Sequence, residues 1–125
     1  MPIASLLDTL TLAISVRDRH ASAEWYRDML GFELIQHIDE AGWSEMKTNS
    51  KGVTLGLGEH AEPAQGTTVT VFGVVNVELA RRALEAEGVR FEGETAVTEG
   101  MVSTAIFHDP DGNVLMLAQD LTGGN

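Results

Sequence analysis

Asp109-Pro110-Asp111-Gly112-Asn113 joins two apolar runs, residues 102–107 and 114–118. Aspartate, proline, aspartate and glycine fall at the successive positions of a type I turn that favour each of them. The flanking runs have the length and composition of paired strands. The stretch therefore predicts a tight hairpin, and reading outward from it shows two similar halves.

In the first half, Leu10, Leu12, Ile14 and Val16 alternate with Thr11, Ala13 and Ser15, the period of a strand with two different faces. Asp18 is placed to cap a helix that carries Trp25, Tyr26, Met29 and Leu30 on its buried stripe and ends at Gly31. Residues 32–38, 43–48 and 52–57 read as three further strands, with turns at 40–42 and 49–52.

Residues 59–66, with Pro63 and Gly66, read as a linker, and the order then repeats. Val69, Val71 and Val75 alternate with Thr70, Phe72 and Val74, and Asn76 caps a helix with Val77, Ala80, Ala83 and Leu84 on its apolar side. Glu78–Arg82 and Arg81–Glu85 have the spacing of helical ion pairs, and Gly88 ends the helix. Strands over 89–94, 102–107 and 114–118 complete the half, and 119–125 read as a frayed tail. In this overlay Thr11 to Val16 lie over Thr70 to Val75, and Leu30 to Leu34 over Glu87 to Phe91. The class is α+β, with two tandem βαβββ modules forming curled, mostly antiparallel sheets around a cleft. Module one covers about 9–58 and module two about 67–119, within one domain of 125 residues. A module this small buries little surface, so pairing within or between chains is expected.

A hydrophobic content of 43% fits a globular domain, and no apolar run is long enough for a membrane helix. The N-terminus has no basic region before its apolar residues, so no secretory signal is expected. The absence of cysteine excludes disulfides and thiolate sites and is compatible with the cytoplasm. A formal charge of −11 disfavours nucleic acid and anionic membranes as partners and would attract cationic ligands weakly.

Three segments resemble the vicinal oxygen chelate superfamily, which includes glyoxalase I, extradiol dioxygenases, fosfomycin-resistance enzymes and bleomycin-binding proteins. They are Ser15-Val16-Arg17-Asp18, the stretch from Trp25 to Leu34 (WYRDMLGFEL), and Phe107-His108 leading into the hairpin turn. Metal-using members place His, Gln or Glu at four inward-facing strand positions, where a divalent ion is chelated by substrate oxygens. Carried over by motif, those positions fall on Thr11, Gly56, Thr70 and Met116. Two hydroxyls, a glycine and a thioether are not a competent donor set for such an ion. The resemblance is therefore to a branch without the consensus ligands, and no metal or other cofactor is expected. His20, His37, His60 and His108 read as scattered surface residues.

By strand parity, Thr11, Ala13, Ser15, Thr54, Gly56, Thr70, Phe72, Val74, Met116 and Ala118 face the cleft. This small, neutral and apolar lining suits a mostly apolar or planar molecule. On the third strand, Trp43, Glu45 and Lys47 share one face, and Ser44, Met46 and Thr48 the other. Sequence alone leaves open which of these looks inward. If the first does, Glu45 is the acid/base candidate and Trp43 a stacking platform. The resemblance implies a metal-independent, homodimeric binder of a small aromatic or cationic compound, such as an antibiotic or natural product. The alternatives are a metal-independent isomerase or cyclase, and a divergent glyoxalase or dioxygenase with relocated ligands.

Overall fold

The computed structural model describes residues 7–66 and 69–123. The expected start of module two at 67–68 and the end of the tail at 124–125 lie outside the described residues. The chain divides between Ala64 and Gln65 into two compact units.

The first unit runs β1 (Leu10–Val16), α1 (Arg19–Leu30), β2 (Glu33–Ile38), a 3-10 turn (Asp39–Ala41), β3 (Trp43–Lys47) and β4 (Val53–Glu59). Its sheet has the order β1-β4-β3-β2, with β1 parallel to β4 and the other pairs antiparallel. The second unit runs β5 (Thr70–Gly73), α2 (Val77–Ala86), β6 (Phe91–Thr98), β7 (Val102–His108) and β8 (Val114–Asp120). Its sheet repeats the pattern as β5-β8-β7-β6, again with one parallel pair. Each unit is thus an open α+β sheet with one helix. The long strand-to-strand crossover in each is what a parallel pair requires.

Both helices start at the residues that their caps predict. The Asp18 carboxylate accepts from the Ala21 amide at 3.1 Å, and the Asn76 side chain from the Leu79 amide at 3.0 Å. Gly31 closes α1 in the left-handed region at φ 76°, where a side chain would be strained. The buried stripe of α1, however, is Arg19, Ser22, Ala23 and Tyr26, with Trp25, Met29 and Leu30 only partly covered. A polar residue took a core position because its polar atoms are all satisfied there, so counting apolar residues pointed to a face rotated away from the true one. In α2, Val77 is buried but Ala83 is exposed, and Arg81 lies over the Phe91 ring at 4.8 Å. Of the two expected ion pairs on this helix, Arg81–Glu85 forms at 3.1 Å.

The edge strands β2 and β6 each carry a register shift, at Leu34/Gln36 and at Glu92/Ala96. The second explains why β6 runs to Thr98 instead of stopping at 94, since pairing with β7 resumes beyond the bulge. The tail is also shorter than expected. Gln119 and Asp120 pair with β7, and the Gln119 side chain accepts from the Val77 amide at the start of α2. The expected linker begins one residue late, because Glu59 closes β4.

The hairpin turn forms as its sequence predicts. The Asp109 carbonyl accepts from the Gly112 amide at 3.0 Å, and Gly112 adopts φ 86°. The Asp109 side chain, 1% exposed, accepts from the amides of Asp111 and Asn113 and from the Asn113 side-chain amide. Asp109→Ala removes the acceptor for all three donors. It is expected to lower stability by about 2–3 kcal/mol in urea unfolding. A change within about 0.5 kcal/mol would mean that the turn holds itself without the carboxylate.

Candidate functional site

Arg19 fixes the parity of β3. Its guanidinium donates to the Trp43 carbonyl at 3.1 Å and to the Ser44 hydroxyl at 3.0 Å, and pairs with Asp39 at 3.1 Å and Glu59 at 3.2 Å. Ser44 and Met46 are fully buried on the helix side of the sheet. Because side chains alternate along a strand, Trp43 and Glu45 lie on the opposite, open face.

That face of the first unit is wired together. The Trp43 indole N–H donates to Glu45 Oε1 at 3.0 Å, and the Thr54 hydroxyl donates to Glu45 Oε2 at 2.8 Å. Thr11 and Thr54, directly opposite across β1 and β4, share a further bond at 2.8 Å. Gly56 stands opposite both Ala13 and Glu45, and the indole lies across it so closely that a Cβ there would overlap the ring. One row further along, Ser15, Gly58 and Trp43 align. Here the His60 ring extends over Gly58, with its Nδ1 at 2.9 Å from Ser15 Oγ and 3.2 Å from the Gly58 carbonyl. The Ala64 amide donates to the same Ser15 oxygen at 3.1 Å. Thr11, Ala13, Ser15, Trp43, Glu45, Thr54 and Gly56 therefore share one sheet face.

The second unit departs from the expected parity. Thr70 and Phe72 stand opposite Leu115 and Leu117, which are buried on the helix side, whereas Val71 and Gly73 stand opposite Met116 and Ala118. Thr70 and Phe72 thus do not share the open face with Met116. The overlay of the halves was one residue out at this strand. Counting back from the caps, Val16 matches Val74, since Asp18 and Asn76 occupy the same place. The position beside Met116 belongs to Val71.

The four carried-over metal positions do not fit a divalent ion. Thr11 Oγ is engaged by Thr54, and the side-chain space of Gly56 is filled by the Trp43 ring. The cap-based overlay moves the third position from Thr70 to Val69, and neither Val69 nor Met116 offers a hard donor. Among the described residues, no group of three or more His, Asp or Glu is placed to hold a metal.

The histidines are not all isolated. His20 and His37 stack at 3.9 Å between ring centroids, His37 Nδ1 meets Ser44 Oγ at 2.6 Å, and His20 approaches Asp39 at 3.6 Å. Both thus border the Arg19 network, while His108 pairs with Glu92 at 3.0 Å. The hydrogen bond from Arg19 holds the Asp39 carboxyl below its ordinary value of 3.8, with the charge of the guanidinium adding to the effect. A depressed carboxylate stabilises the fold above its unfolded value and loses that contribution as pH falls through the folded one. Asp39→Asn is accordingly expected to lower Tm near neutrality and to flatten the loss of Tm below about pH 4. An unchanged acid limb in thermal melts would contradict the pairing.

Residues 8–117 match the Glyoxalase/Bleomycin resistance protein/Dioxygenase superfamily. The chain is 26% identical over 121 residues to the uncharacterized protein YurT of Bacillus subtilis (strain 168), covering 86% of this chain and 94% of that one. Its fold is shared with TnmS3, an antibiotic binding protein from Streptomyces sp. CB03234, at a TM-score of 0.71 and 21% identity over 96% of this chain and 99% of that one. It is shared also with FosX, a fosfomycin resistance protein from Listeria monocytogenes complexed with Mn(II) and sulfate, at a TM-score of 0.72 and 16% identity over 94% and 92%. With its repeated βαβββ units and a match that spans both of them, the chain belongs to the glyoxalase/bleomycin resistance protein/dioxygenase superfamily.

Proposed function

We propose that this protein is a metal-independent, homodimeric binder of a small organic molecule, which sequesters an antibiotic or natural product in the cytoplasm. The observation that carries the reading is the open face of the first unit, where the Trp43 ring lies on Gly56 and its N–H is tied to Glu45. A flat aromatic surface with a fixed carboxylate beside it is suited to binding a planar compound with limited polar anchoring. The chemistry of the carried-over positions supports a site without a divalent ion, and the antibiotic-binding neighbour supports the ligand class. The ligand-contacting set on this reading is Thr11, Ala13, Ser15, Trp43, Thr54 and Gly56.

A ligand present at about a hundred times its dissociation constant adds roughly 2.7 kcal/mol to stability. A thermal-shift screen over planar natural products and drug-like amines is therefore expected to return stabilisers. Gly56→Ala forces the indole off its floor, with a packing cost of about 1–3 kcal/mol, and should abolish those shifts. Gly58→Ala is the control. Its Cβ would meet His60 at 3.5 Å and Trp43 at 3.8 Å, ordinary contact distances, so the shifts should persist. A screen without stabilisers, or equal shifts in Gly56→Ala, would count against the reading.

A second reading follows from the same carboxylate. Glu45 on the open face is also where an acid/base group of a metal-independent isomerase or cyclase would stand. On that reading Glu45→Gln abolishes turnover of a bound compound while leaving its binding within about threefold.

A further inference from the structure

The directions of the hydrogen bonds that join Thr11, Thr54, Glu45 and Trp43 can be assigned, and the result selects a chemical class of ligand. The Thr54 hydroxyl has one proton, and it is committed to Glu45 Oε2. Thr54 Oγ must then accept in its bond with Thr11, so the Thr11 proton also points inward. The Trp43 indole N–H is committed to Glu45 Oε1. The groups of this set left to meet a ligand are acceptors: the remaining lone pairs of the Glu45 carboxylate and of Thr11 Oγ.

We infer that this face recognises a planar aromatic body bearing a hydrogen-bond donor, above all a protonated amine, and discriminates against a carboxylate on the same ring. The inference rests on the binding function proposed above and narrows its ligand. An anion would meet the Glu45 charge with no donor of the wired set available to it, whereas an ammonium completes the acceptor array. A cation over the Trp43 ring is favoured further by the indole quadrupole. Two other groups share this face by register. Gln36, across from Glu45, offers either end of its amide, and Lys47 stands at the end of β3, opposite Glu33 and Thr54. The overall charge of −11 acts in the same direction as the site.

The test is a set of dissociation constants by NMR titration for 2-naphthylmethylamine and 2-naphthoate, at about 0.15 M salt to screen the general field. The amine is expected to bind about tenfold or more tighter than the carboxylate. Glu45→Gln should reduce that ratio about fivefold or more. Glu99→Gln removes the same charge from an exposed turn and should leave the ratio unchanged. Equal or tighter binding of naphthoate overturns this inference alone and leaves the binding function standing. An equal loss of preference in both variants also overturns it, since the discrimination would then come from net charge. Binding of neither ring overturns both this inference and the function on which it rests.

Discussion

The guanidinium of Arg19 is the constraint on which the rest of the first unit depends. It is 5% exposed and donates to two carboxylates, one hydroxyl and one backbone carbonyl. A buried charge is tolerated only when its donors are satisfied, so this residue dictates where β3, the 3-10 turn and the end of β4 must lie around the start of α1. The bond to Ser44 holds that side chain under the helix. Alternation along the strand then sends Trp43 and Glu45 to the other face. The candidate site is therefore a consequence of how the helix is anchored.

What the open face can do follows from one glycine. Gly56 leaves room for an indole to lie flat against the sheet, whereas a side chain at Gly58 would meet His60 only at ordinary contact distance. In metal-using members of the superfamily, strands at these places present charged or imidazole donors toward an ion. Here the equivalent space is taken by an aromatic ring, and the nearby hydroxyls are consumed in orienting a carboxylate. The fold is the one shared with FosX and TnmS3, but a fold hosts many chemistries, and the side chains decide among them.

Most of the fold was legible in the sequence, because turn and cap residues carry local rules. Asp109 to Asn113, Asp18, Gly31 and Asn76 each mark a boundary that the structure keeps. The two edge strands were harder, since bulges break alternation and an exposed edge needs no apolar pattern. Arg19 was invisible to a search for apolar stripes, as only tertiary partners justify burying it. On the site, Thr11, Ala13 and Ser15 could be assigned to one face by parity, but the orientation of β3 could not, because each face carries one large apolar residue, Trp43 or Met46, beside two polar ones. Thr70 and Phe72 were misplaced by a one-residue overlay that the caps would have corrected. The contact of His60 with Ser15 had only a weak signal, a histidine directly after the last strand of the unit.

On the proposed function, the open face around Trp43 holds an organic ring and the four carried-over cation positions are idle. One amide and indole NMR experiment addresses both parts by comparing saturating planar amine with substoichiometric Mn²⁺. The account predicts that the Trp43 indole resonance and the amides of Gly56 and Gly58 shift with the amine. It also predicts that Mn²⁺ causes no broadening centred on Thr11, Gly56, Val69 and Met116. Saturable broadening confined to those four positions, with an unmoved indole signal in the presence of the amine, would contradict it.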